Sequence, residues 1–315
     1  MAVDSQWGNT VLLLPFSESL LDVKGHTVTP VGGAALSSAV GNPFGAGNAC
    51  HFDGAGDYLT IPAISDLNFG TGDFTIEMWV YVAAPSSPDG TGNRGAMLLG
   101  SYYNGASFSS GLSLSLLGST TVTGTSFKLQ YSNGSAWTTI VDSGVSVTNG
   151  GWHHIAVSRS GTSARAFLDG SLCATNTNST NISAGYLVNF CGLGADPSYP
   201  QYLNGYIFDI RTTKSNARYT AAFYAPSSPF PRPTIKGIVL DASSAPVAKR
   251  VVALKRSTML VAGTTLSDAG TGLYTIYPAD FSEHIVYRVD ASTYPLVDGG
   301  SGENAIIYDR VIPGG

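Results

Sequence analysis

The chain has 315 residues, of which only 12% are charged, while Gly contributes 38 and Tyr 16; that composition suits sheets and turns and excludes long charged surface helices. A formal net charge of -5, with no run of Lys and Arg, lacks the electrostatic footprint of a nucleic-acid binder. The expectation is an all-β chain, long enough for two domains.

Near the start, Val11 to Phe16 (VLLLPF) is the longest compact apolar segment. It is too short to span a membrane and has no basic leader or cleavage pattern, so neither membrane insertion nor export is expected. Cys50 to Pro62 (CHFDGAGDYLTIP) and Asp73 to Val82 (DFTIEMWVYV) follow, each with β-branched and aromatic residues alternating beside Gly and Asp clusters; they read as consecutive strands. Strand alternation places Phe74, Ile76, Met78 and Val80 on one face and Glu77, Trp79 and Tyr81 on the other. Gly32 to Gly47 and Ala84 to Gly95 are rich in small and turn residues and are expected to be rim loops.

Two dipeptides carry hairpin signals. Asn133-Gly134 separates FKLQYS from SAWTTIV, and Asp169-Gly170 separates RAFL from SLCA; both suit type I′ turns between antiparallel strands. On the first hairpin Phe127, Leu129 and Tyr131 share one face, and Lys128, Gln130 and Ser132 the other. In GYIFDIRTT, Tyr206, Phe208 and Ile210 are expected on one face, leaving Asp209 beside Arg211 on the opposite one.

Four prolines in Ala225 to Thr234 (APSSPFPRPT) remove ladder donors and stiffen the chain, so residues 225–234 are expected to link a domain over 1–224 to a second over 235–315. The second domain shows short strands at Ile235 to Leu240, Arg250 to Lys255, Leu260 to Leu266 and Gly272 to Tyr277, with Ala305 to Ile312 closing it; this is the spacing of a small sandwich.

Taken in order, FDGAGDYLTIP (52 to 62), DFTIEMWVYV (73 to 82), GWHHIAVSRSG (151 to 161), FLDG (167 to 170), GYIFDIRTTKSNARYT (205 to 220) and FYAPSSPFP (223 to 231) resemble the laminin G-like, concanavalin A-like jelly roll. The opening LLLPFSES is similar to the start of the version common in phage tail and fibre proteins. Residues 237–276, with Asp241, Pro246-Val247, Asp268 and the Gly272 to Tyr274 corner, resemble small prealbumin-like sandwiches of the carboxypeptidase regulatory kind. The resemblance implies display or attachment rather than chemistry. The leading expectation is a non-enzymatic structural protein of a bacteriophage virion, a tail, fibre or capsid decoration subunit assembled in the host cytoplasm with other virion proteins and copies of itself. The alternative is a carbohydrate-binding adhesin for a host-surface glycan.

The charged positions inside apolar strands are Glu77, Arg159, Asp209 and Arg211; lone buried charges are costly, so paired structural ions are expected. A glycosidase needs two carboxyl groups across the scissile bond. Jelly-roll glucanases place two Glu around an Asp on one strand, whereas Thr75 and Trp79 flank Glu77 at the alternate positions here, so no catalytic residue is assigned. His153 and His154 point to opposite faces and cannot share a metal. Cys50, Cys173 and Cys191 are expected as buried free thiols, with a Cys173 to Cys191 bridge as the alternative. The resemblance implies a structural calcium, for which Asp53, Asp57 and Asp209 are candidates by motif position, against the simpler reading of Asp-Gly turns. No other cofactor is expected. Candidate glycan contacts are Trp137, Tyr131 and Tyr102, among a wider set with Tyr103, Asn104, Tyr199 and Tyr202.

Overall fold

A computed structural model describes residues 4–84, 95–101, 110–117, 125–183, 188–192, 201–240, 243–278, 284–289 and 307–311. Its regular structure is almost entirely strand, and it divides into two compact units, Gly8–Phe230 on one hand and Met1–Trp7 with Pro231–Gly315 on the other.

The larger unit holds fifteen strands among its described residues: β1 (Thr10–Leu14), β2 (Thr29–Val31), β3 (Ala35–Ser37), β4 (Ala49–Asp53), β5 (Tyr58–Ile61), β6 (Phe74–Val82), β7 (Met97–Gly100), β8 (Ser110–Leu116), β9 (Thr125–Asn133), β10 (Trp137–Val147), β11 (Trp152–Ser160), β12 (Ser163–Leu168), β13 (Ser171–Thr177), β14 (Val188–Phe190) and β15 (Asn204–Lys214). They form two antiparallel sheets. One runs β13-β12-β11-β6-β15-β4-β3, with β1 added beside β15, and the other runs β10-β9-β8-β7-β14-β5-β2. Two of these strands, β2 and β3, flank or fall within the stretch expected as a first rim loop; most of the second expected loop, 85–94, lies outside the described residues.

The sheets meet over interleaved side chains, as the alternation predicts. Leu112, Leu114 and Leu116 of β8 stand opposite Tyr131, Leu129 and Phe127 of β9, and all six are buried in one core with Phe74, Ile76, Met78 and Val80 of β6. Complete burial of each such side chain contributes about 1.5–3 kcal/mol.

The two hairpins differ. At Asp169-Gly170 both residues have positive φ (50 and 80) between the paired Leu168 and Ser171, as a type I′ turn requires. At Asn133-Gly134 the last facing pair is Ser132 with Trp137, so the turn has four residues instead of two. Asn133 is the reason: its Oδ1 accepts the N–H groups of Ser135 and Ala136, each at 2.9 Å, and supports the longer turn.

The strand β15 departs from simple alternation. A bulge at Asp209 (φ 56) shifts its register against β6, so Tyr206, Phe208 and Arg211 stand opposite Tyr81, Trp79 and Glu77, all on the outer face. Ile210 pairs with core-facing Leu14. Tyr206 and Phe208 therefore share a face as expected, whereas Ile210 turns to the core and Arg211 joins the face of Tyr206 and Phe208 instead of the opposite one.

In the other unit β16 (Ile235–Ile238) pairs with β19 (Leu273–Ile276), while β17 (Arg250–Lys255), β18 (Leu260–Leu266), β20 (His284–Val289) and β21 (Ile307–Val311) make a four-stranded sheet ordered β18-β17-β20-β21. Ile235, Val239, Val251, Ala253, Ile276 and Val286 form its core.

Candidate functional site

The outer face of the eight-stranded sheet is covered at its centre, over Glu77. Glu77 is fully buried, and Arg211 Nε and Nη2 both donate to its Oε1 at 2.9 Å. Tyr219 Oη donates to Oε2 at 2.8 Å, and His154 Nε2 lies 3.3 Å from the same oxygen. Burial alone would raise the carboxyl; the Arg211 charge, then His154, brings it down to about 2. Tyr219 is pushed up, first by burial and then by the Glu77 charge, and so remains a donor.

Residues 216–230 run over this network as an irregular strap. Arg218 fastens it, donating from its backbone N–H to Thr75 Oγ1 at 2.9 Å and from Nη2 to Thr10 Oγ1 at 2.9 Å. Tyr219 stacks on Phe223 with centroids 3.6 Å apart, and the Phe230 ring covers the Arg211 guanidinium at 3.8 Å. The Phe230 N–H donates to Asp209 Oδ2. Phe230, inside the proline-rich stretch, is thus a buried part of the larger unit. A carboxylate held by Arg211, Tyr219 and His154 beneath a strap cannot reach a polysaccharide as acid or nucleophile.

The other positions singled out in the sequence are dispersed. Arg159 donates to the backbone oxygens of Gly70, Gly72 and Thr180 at 2.7 to 3.1 Å, with Phe74 beneath its guanidinium; burial lowers its pKa, against the opposing effect of Asp73. It joins chain segments and has no place in the Glu77 network. His153 points away from His154 and forms a clasp of its own, with Nδ1 2.8 Å from Asp169 Oδ2 and Nε2 2.7 Å from Thr148 Oγ1. The three cysteines are free; Cys50 and Cys191 are buried as expected, whereas Cys173, on the edge strand β13, is only half-buried.

The three calcium candidates each accept a backbone N–H group. Asp57 is buried, and its two oxygens accept the N–H groups of Gly33 and Asp53. Asp53 Oδ1 caps Ala55 N–H at 2.7 Å in a local turn, and Asp209 is tied to Phe230. Among the described residues no group of three or more His, Cys, Asp or Glu could hold a metal.

The outer face of the seven-stranded sheet has a different character. Thr139, Gln130, Ser113, Gly100, Asn189, Thr60 and Thr29 are successive cross-strand partners from one edge to the other, an uninterrupted row without an apolar side chain. Beside it Trp137 faces Ser132, and Asp142 faces Lys128, with Asp142 Oδ2 3.2 Å from Lys128 Nζ. Accessibility falls steeply inward. Trp137 is 37% exposed and Thr139 is exposed, Gln130 and Lys128 are half-buried, and Ser113, Ser115 and Asn189 are buried.

Of the glycan candidates, Trp137 therefore lies on this polar face, at its rim. Tyr131 points the other way, into the core, with its hydroxyl 3.3 Å from Ser183 Oγ, because it belongs to the Phe127, Leu129 set. Tyr202 is half-buried, and its ring packs closely on Gly192, where a Cβ would meet it at 2.5 Å. Tyr102, Tyr103, Asn104 and Tyr199 lie outside the described residues. Lys128, Gln130, Ser132, Thr139 and Asp142 were not singled out from sequence as ligand contacts; alternation had put the first three on the polar face, and Asn133-Gly134 had brought β10 beside them.

Solved structures with similar chains include domain 4 of AbnA, a GH43 extracellular arabinanase from Geobacillus stearothermophilus, in complex with arabinotriose (15% identity, 65% of this chain and 92% of that one, TM-score 0.46). The binding domain of botulinum neurotoxin serotype D is another (9% identity, 90% and 73%, TM-score 0.48). A third is the CBM2 module of the evolved Dit of Lactobacillus casei BL23 phage J-1 (14% identity, 67% and 97%, TM-score 0.39). No curated protein sequence is similar enough to this one to count as a match. Residues 53–215, just over half of the chain, match the sequence profile of the concanavalin A-like lectin/glucanases superfamily, and the chain belongs to that superfamily.

Proposed function

We propose that this chain is a non-catalytic recognition protein that holds a carbohydrate on the rim formed by β9 and β10. One observation carries this reading: Trp137, 37% exposed, stands on the same face as exposed Thr139 and half-buried Gln130, so an aromatic ring lies beside neutral hydroxyl and amide groups. A pyranose offers the complement, with C–H faces to stack on the indole and hydroxyls that both donate and accept. Membership of a superfamily described as lectins and glucanases supports carbohydrate as the ligand class, and the burial of Glu77 favours binding over cleavage. The test is a glycan array probed with the whole chain and with Trp137→Ala; binding that survives the substitution unchanged contradicts the reading.

The place of action we propose is a bacteriophage particle, with the C-terminal unit as its attachment or spacer module and other virion proteins and further copies of the chain as neighbours. This rests on the phage-like opening LLLPFSES and on the order of the two modules. Mass spectrometry of purified particles checks it, and a particle proteome without the chain removes it.

A further inference from the structure

The gradient of accessibility across the seven-stranded sheet restricts how a ligand can lie on it. A chain crossing the strands would need Ser113, Gly100 and Asn189, but Ser113 and Asn189 are buried, and the Met97 side chain lies over Gly100, where a Cβ would be 2.1 Å from its sulfur. Accessible polar groups instead run lengthwise along the two rim strands. From Trp137 at the turn they continue through exposed Thr139 and half-buried Gln130 to the Asp142–Lys128 pair, while Ser132 opposite Trp137 is buried. Ser132 and Lys128, the partners of Trp137 and Asp142, are four residue steps apart on β9, about 13 Å at ~3.3 Å per residue, which exceeds one sugar ring and fits about three.

The far end is an ion pair whose side chains are 22% and 36% exposed. Lys128 offers donors, Asp142 offers acceptors, and the two charges cancel, so this end suits the vicinal hydroxyls of a neutral sugar better than a carboxylate or sulfate. Resting on the reading that Trp137 binds sugar, we infer that the site takes a neutral, extended oligosaccharide of about three units lying parallel to β9 and β10, with Trp137 under one end and the Lys128–Asp142 pair at the other.

The experiment is calorimetric titration of the whole chain with cello-, manno- and malto-oligosaccharide ladders of one to five units, and with a galacturonate trimer. The expected result is that at least one neutral ladder binds more tightly with each unit up to the trimer and then levels off, with the galacturonate trimer at least tenfold weaker. Replacing the pair by Lys128→Gln with Asp142→Asn should lower trimer affinity about tenfold and leave the monosaccharide unchanged, a split that general loss of folding would not produce. If monosaccharide and trimer bind equally while Trp137→Ala still abolishes binding, the extended ligand is wrong and the sugar site stands. If no ladder binds, both fall.

Discussion

Arg211 is the cross-strand partner of Glu77 because of one residue inserted between Phe208 and Arg211 at the Asp209 bulge. Regular alternation after Phe208 would have sent Arg211 to the other face and left a buried carboxylate without its main counter-charge. Asp209 does this in the left-handed region (φ 56), which a short polar side chain tolerates, and its carboxylate accepts the Phe230 N–H.

Removing one member of this network should be costly. Glu77→Ala and Arg211→Ala are each expected to destabilise the larger unit by about 3–5 kcal/mol, since each leaves an uncompensated buried charge. The double variant should cost well under the sum, as measured by urea unfolding in a double-mutant cycle.

The same pair sets an acid response. Glu77 ionises at about 2 in the folded chain against 4.5 for an ordinary glutamate, so between those values the unfolded chain binds a proton that the folded one does not. Its stabilisation is complete above pH 4.5 and declines as pH falls toward 2. Urea unfolding of the wild type and of Glu77→Gln should therefore converge in stability across that interval.

The strap can be loosened from outside the network. Phe223 N–H donates to Gly170 O, and a Cβ on Gly170, already at φ 80, would lie 2.0 Å from Phe223 O. Gly170→Ala is expected to increase amide exchange in residues 218–230 while leaving the strands β8 and β9 protected, and equal protection in both chains would contradict the strap's dependence on this contact.

Because the Asp57 oxygens are taken by backbone donors, melting curves in calcium and in EDTA are expected to coincide. Asp57→Asn should lower the melting temperature equally in both. A calcium-dependent rise in the wild type that Asp57→Asn removes would contradict this expectation.

The sandwich was legible because burial enforces alternation: the faces of β6, β9 and β11 follow directly from FTIEMWVYV, FKLQYS and WHHIAVSRS. The opposed histidines and the Asp169-Gly170 turn followed from the same local rules. What local rules do not carry is where a ladder takes an extra residue. FDIR alternates perfectly in sequence, and the bulge is visible only once β6 and β1 compete for its neighbours. The strap was equally hidden: ARYTAAFYAPSSPF has no period, so propensity is silent about Tyr219, Phe223 and Phe230 covering Glu77. Trp137 was visible as an aromatic near a turn, but its distinction from Tyr131 depends on register, which separates core ring from surface ring.

The two outer faces differ: one is covered over fully buried Glu77, and the other leaves Trp137 37% exposed at its rim. Titration of a glycan identified on the array against the wild type, Trp137→Ala and Glu77→Gln separates them. The account predicts that Trp137→Ala abolishes binding while folded Glu77→Gln retains wild-type affinity and no chain cleaves the sugar. Loss of binding or of sugar turnover in Glu77→Gln, with Trp137→Ala unaffected, would contradict it.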